Sequence, residues 1–119
     1  MERNYMEMAI NNSIASISNI IDDFNYITEL DRLRVTGSVM QCSRINNDTF
    51  LTLMDQSGEI QICLNSNYIG KKMYNRLMQV DIGDILLIDG ARFMTKAGEM
   101  SIKADSMQIL SRANRYHTA

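Results

Sequence analysis

From Leu33 onward the apolar residues of this 119-residue chain change their spacing, and that change limits the fold more than any other feature. Upstream, Ile10, Ile14, Ile17, Ile21 and Phe24 recur at intervals of three and four, the period of one helical face, and Asn11, Asn12 and Ser13 stand where a cap belongs. Four of those five are β-branched isoleucines set among Ser and Asn, so the helix has mediocre propensity and needs a body to lie against. Downstream the period is two. LRVTGSVMQC reads as a strand, and Gly37 at its centre is a residue that in small barrels permits the bend of a strand serving two faces. FLTLMD and EIQICL follow as a hairpin around a Gly-containing turn.

The third strand is followed by NSNYIGKKMYNRLMQV, where Met73, Leu77 and Val80 with Tyr74 and Met78 make a helical stripe. After DIGD come the apolar strand ILLIDGARFM, the turn TKAGE and a last strand, MSIKADSMQIL. Five short strands with one helix between the third and fourth is the order of an OB-fold, a partly open Greek-key barrel. The expected fold is therefore mainly β: a five-stranded OB-fold barrel at residues 32–113, an acidic arm with an additional N-terminal helix at residues 1–31, and a tail at 114–119. A fold of this kind does not name a function by itself.

Length leaves room for one domain with a single modest core, and no apolar run approaches the eighteen or so residues of a membrane span. The N-terminus MERNYMEMAINNS lacks the basic flank and apolar block of a signal peptide, so a cytoplasmic location is expected. Cys42 and Cys63 fall inside strands without metal-ligand spacing and read as free thiols. His117 has no Cys, Asp or Glu arranged around it, and Asp81 and Asp84 flanking Gly83 read as a turn. No metal, cofactor or catalytic residue is expected. The net charge of −2 is uneven, with one basic against six acidic residues in 1–31 and eleven against eight in 32–119. Such a body is too weakly basic for tight non-specific binding, so a nucleic acid would have to be recognised partly through its bases.

The hairpin offers a means of doing so. Alternation turns Leu51, Leu53, Ile60 and Ile62 to one side and leaves Phe50 and Gln61 together on the side that faces water. A ring there can stack on a base without regard to its identity, and an amide can hydrogen-bond a base edge and discriminate. Around these, Arg34, Arg44, Arg92, Lys96 and Lys103 fall on or near strands and turns that would surround a bound strand. Lys71, Lys72 and Arg76 read as a solvated helix face.

The runs VTGSV, FLTLMDQSGEIQI, VDIGDIL and TKAGEMSIKADSMQILSRA, across residues 33 to 113, resemble the N-terminal anticodon-binding domain of bacterial lysyl-tRNA synthetases. The resemblance implies that Phe50 is the stacking ring for the middle anticodon base, that Gln61 is the base-reading amide, and that Glu99 is an acidic residue contacting a uridine-rich anticodon. It implies an RNA partner, a tRNA anticodon loop of the lysine type. Where that family carries an Arg seven positions before the Phe, this chain has Ser43, with Arg44 beside it, and RINND replaces a more basic turn. The ending NRYHTA differs from the family's proline-containing link to its catalytic domain, so a separate, non-catalytic gene product is expected, with a fragment of a full synthetase as the alternative. Two alternatives stand beside this reading: a generic single-stranded nucleic-acid binder, and an assembly module in which the N-terminal helix meets a second copy or a partner protein.

Overall fold

The structure, a computed structural model, describes residues 14–22 and 32–113. The described elements are α1 (Ile17–Asp22), β1 (Arg32–Ile45), β2 (Asp48–Met54), β3 (Glu59–Asn65), α2 (Ser66–Ile69), α3 (Lys71–Leu77), β4 (Ile85–Met94) and β5 (Met100–Ser111). The strands close into a barrel in the order β1-β2-β3-β5-β4. β3 and β5 run parallel, and every other pair is antiparallel. This is the OB-fold order read from the sequence.

The first strand is long because it serves two neighbours. Residues 32–38 pair with β4 and residues 38–45 with β2, so Ser38 faces Ile85 on one side and Met54 on the other. Gly37 sits at this crossing, where a Cβ would come within 2.7 Å of the Met54 carbonyl oxygen. Only glycine admits so close a backbone approach. A second irregularity lies in β5, where Asp89 pairs with Ser106 but Gly90 pairs with Ala104, leaving Asp105 extra. That bulge lets Ala104 and Met107, three apart, both turn inward.

Inside the barrel are Val35, Val39, Leu51, Leu53, Ile60, Ile62, Leu64, Leu86, Ile88 and Ile102, all buried. Each such side chain contributes about 1.5–3 kcal/mol relative to exposure. Gly70, at φ 85°, divides the expected middle helix into α2 and α3. Of its stripe, Leu77 and Val80 enter the core, Met73 packs against it, and Tyr74 and Met78 remain exposed.

The N-terminal helix also differs from its sequence stripe. Its described part starts at Ile17, and it buries Ile17 and Ile20 while Ile14 is exposed and Ile21 only packs at the margin. The reason is the source of the cap. Asp55, in the β2–β3 turn, accepts from the Ile17 amide at 2.9 Å, and Ser57 Oγ accepts from the Ser18 amide at 2.9 Å. Locally, Ser16 Oγ accepts from the Asn19 amide, and the Ala15 amide donates to the Arg34 carbonyl at 2.9 Å, which ties the approach to the helix to β1. The expected cap residues 11–13 and Phe24 lie outside the described residues, as does His117. With Ile17 and Ile20 in the barrel core, these two side chains brace the domain.

Candidate nucleic-acid interface

Register fixes the outward face. Phe50 on β2 stands opposite Ser43 on β1 and Cys63 on β3, and Cys63 in turn faces Lys103 on β5. Thr52 stands opposite Gln61, Gln61 opposite Ser101, and Ser101 opposite Phe93 on β4. Directly paired residues share one face of a sheet, so two parallel rows cross the barrel wall: Ser43–Phe50–Cys63–Lys103 and Thr52–Gln61–Ser101–Phe93. Phe50 and Gln61 are therefore diagonal neighbours, within reach of one ligand.

Ser101 determines how Gln61 is presented. Its hydroxyl, fully buried, donates to Gln61 Oε1 at 2.8 Å, and the Cys63 thiol lies 3.9 Å from the same oxygen. The carbonyl end of the amide is thus held against the wall, and its Nε2 hydrogens have no partner among the described residues. Gln61 stands on this face as a positioned donor.

Glu99 comes from the β4–β5 turn. The Thr95 amide donates to the Glu99 carbonyl at 2.9 Å, the Glu99 amide donates to Thr95 Oγ1 at 3.0 Å, and Gly98 turns the chain at φ 89°. The carboxylate is exposed, yet its field reaches the platform. Burial pushes the Cys63 thiol up to about 11; the hydrogen bond with Ser101 opposes that shift, and the negative charges of Asp48 and Glu99 add to it. Cys63 and Cys42 are half-buried free thiols, as expected.

The expected cations part company. Arg34 is engaged by Asp89 through Nε and Nη2 at 2.7 and 3.0 Å, and Arg44 donates to the Leu77 carbonyl at the end of α3 at 3.2 Å. Arg44 pairs with Thr49, whose side chain is buried, so it lies on the opposite sheet face from Phe50. Arg92 pairs with Ile102 and so shares the inward register of Leu86, Ile88 and Gly90. Lys96, in the β4–β5 turn, and Lys103, at the end of the first row, remain exposed, and the Lys103 ammonium sits 4.6 Å from the centre of the Tyr68 ring. Ser43 is exposed directly opposite Phe50, and Arg44 next to it does not share that face.

A family model for the tRNA anticodon type of OB-fold nucleic acid binding domain matches residues 33–110. The chain belongs to that family. Among the relatives of this anticodon OB-fold domain, lysine–tRNA ligase of Xylella fastidiosa (strain 9a5c) is 33% identical over 85 residues, covering 71% of this chain and 17% of the ligase. Lysine–tRNA ligase of Bordetella parapertussis is 40% identical over 83 residues, covering 70% of this chain and 16% of the ligase. The domain thus spans less than a fifth of these ligases, and what is matched is the anticodon-binding part alone. In fold it superimposes on asparaginyl-tRNA synthetase from Pyrococcus horikoshii complexed with asparaginyl-adenylate, with a TM-score of 0.72 at 14% identity, over 87% of this chain and 24% of that one.

The anticodon OB-fold domain thus brings Phe50, Gln61, Lys103 and Ser43 onto one face, with Glu99 and Lys96 at its border. Sequence reasoning missed Ser101, Phe93 and Tyr68. Phe93 was reachable by counting outward from Leu86 and Ile88, which also places Arg92 inward. Ser101 was not, because its role depends on the parallel β3–β5 pairing. Asp84 is buried; it accepts from the Asp81 amide at 2.9 Å, the local role expected of it, and also from the distant Ala113 amide at 2.7 Å, which ties the end of β5 to this turn. Among the described residues no group of three or more His, Cys, Asp or Glu is placed to hold a metal ion, and no helix is long and apolar enough to cross a membrane.

Proposed function

We propose that this domain binds the anticodon loop of a tRNA, of the lysine type that its relatives' names indicate, and performs no chemistry itself. The observation that carries the reading is the diagonal placement of Phe50 and Gln61 with Ser101 fixing the amide. Stacking of one base on Phe50 supplies roughly 1–3 kcal/mol whatever the base. Discrimination comes from the edges: Gln61 offers N–H donors, matching a uracil carbonyl, and Glu99 offers an acceptor, matching the uracil N3–H. Lys96 and Lys103 supply phosphate contacts, too few to hold RNA without base recognition. Such a domain acts in the cytoplasm, where its RNA is.

A second reading, a binder of single strands without anticodon preference, is favoured by Ser43. The cation that the resemblance places beside the ring is missing, and Arg44 is committed to α3. One experiment separates the two. Affinity is measured at two salt concentrations for a lysine-tRNA anticodon stem-loop, the same loop with its middle base changed, and an unrelated single strand, with Phe50→Ala as control. Preference for the native loop that disappears with the base change supports anticodon reading, whereas equal binding to all three leaves the generic binder.

A further inference from the structure

Away from the Phe50 face, a cleft of about 360 Å³ opens between the end of α3 and the C-terminal end of β5, lined by Arg76, Gln79, Gln108, Ile109 and Arg112. Two guanidinium groups and two amides line it, and among the described residues no carboxylate does. Arg112 is set in place, since its Nη1 donates to the Gln79 carbonyl at 3.3 Å and its Nη2 to Gln79 Oε1 at 3.0 Å. Arg76, in the last turn of α3, has a side chain with no partner among the described residues. The barrel's other engaged arginines are matched to acids or a carbonyl: Arg32 to Asp105, Arg34 to Asp89, Arg44 to Leu77. Two like charges sharing one cleft repel each other unless an anion joins them.

We propose that this cleft is a second RNA contact, which takes one phosphodiester of the bound strand together with its sugar. Its size suits a nucleotide unit better than a bare anion. Planar guanidinium groups pair with phosphate oxygens in a bidentate manner, Gln79 Nε2 and Gln108 supply further donors, and Ile109 gives an apolar floor for the ribose. Position separates this contact from base reading. Lys103 lies on β5 and Arg112 one residue past its end, nine residues further along the chain, a separation of at most about 30 Å at roughly 3.3 Å per residue. The cleft therefore meets a different part of the RNA from the part that meets Phe50.

The inference rests on RNA being the ligand, but it has its own signature. Full-length lysine tRNA, the same tRNA with its middle anticodon base changed, and inorganic phosphate are titrated against the wild type, Arg76→Gln, and Arg76→Gln with Arg112→Gln. The double variant is expected to bind both tRNAs about tenfold more weakly, keep the wild-type ratio between them, and lose roughly one unit of salt slope per contact removed. Arg76→Gln, which breaks no described contact, is expected to show about half of that loss on a logarithmic scale, so the effect is read even if the Arg112 change lowers stability. Wild-type affinity and salt slope in both variants would overturn the proposal. So would an effect on phosphate binding with none on tRNA, which would make the cleft a site for free anions. Loss of anticodon preference in the wild type alone, with the Arg effects intact, would overturn the anticodon reading and leave this contact standing.

Discussion

Ser101 Oγ, fully buried on β5, donates to Gln61 Oε1 on β3 across 2.8 Å, and this bond decides which end of the Gln61 amide meets a ligand. In Ser101→Ala the amide is free to turn over and present its oxygen as readily as its nitrogen. A half-buried Gln61 finds water in place of the hydroxyl, so the loss of stability is expected to be about 1 kcal/mol or less. The loss of preference between the native and base-changed anticodon loops is expected to be larger than the loss of affinity, about five- to tenfold. Equal preference in wild type and variant, measured by titration with both loops, would remove Ser101 from the reading of the base.

Ser43 stands directly opposite Phe50 on an exposed part of β1, with its neighbour Arg44 turned to the other side. Ser43→Arg restores a cation beside the ring without disturbing a described contact. We expect tighter binding of the anticodon loop, by about 1 kcal/mol, and a salt slope steeper by roughly one unit. Ser43→Gln separates charge from size, since it should bring neither change. If both variants bind as the wild type does, the family's cation at this place has no counterpart function here.

The barrel was legible because its strands alternate and its inward positions are apolar, so a slip of one residue would expose the whole set. Phe50 and Gln61 followed from that parity alone. The cations did not, for two different reasons. Arg34 and Asp89 are 55 positions apart, and only the β1–β4 pairing shows that the guanidinium is engaged. Arg92, by contrast, has an inward register that was readable from the alternation of ILLIDGAR, whereas it had been grouped with the other cations by charge. The N-terminal helix was read from a stripe of isoleucines, but its described start is set in trans by Asp55, a residue that local periodicity cannot connect to Ile17.

Glu99 and Cys63 are coupled through space, the carboxylate helping to hold the thiol protonated. Burial is the main cause of the raised value of about 11, and the thiol should accordingly react slowly with iodoacetamide at neutral pH and faster toward pH 11. Glu99→Gln removes one of the opposing negative charges, so the reactivity profile of Cys63 is expected to move to lower pH, with Cys42→Ala used to isolate the signal. An unmoved profile would place the Glu99 carboxylate too far from the platform to meet a base lying on Phe50. Bound anticodon loop should in addition slow the reaction, because Cys63 is the cross-strand neighbour of the ring.

Asp55 joins the turn of the hairpin to the start of α1, and its charge makes that joint sensitive to acid. Burial raises its carboxyl pKa, but the Ser57 hydroxyl and the amides of Ile17, Ser57 and Gly58 all donate to the carboxylate and together bring it below its ordinary value. A group depressed in the folded state contributes stability that is present above its unfolded value, about 3.9, and is lost as pH falls through the lower folded value. Thermal unfolding should therefore be insensitive to Asp55 from neutral pH down to about 5 and should weaken below about 4. Asp105, lowered chiefly by its hydrogen bond from Arg32, titrates in the same window, so Asp105→Asn serves as the common background. On it, Asp55→Asn is expected to reduce stability at pH 7 by about 1–3 kcal/mol and to flatten the acid slope. Amide exchange at Ile20, whose N–H bonds the Ser16 carbonyl within α1, should quicken in the same variant. Parallel acid slopes with and without the substitution would mean that the helix is held by Ile17 and Ile20 alone.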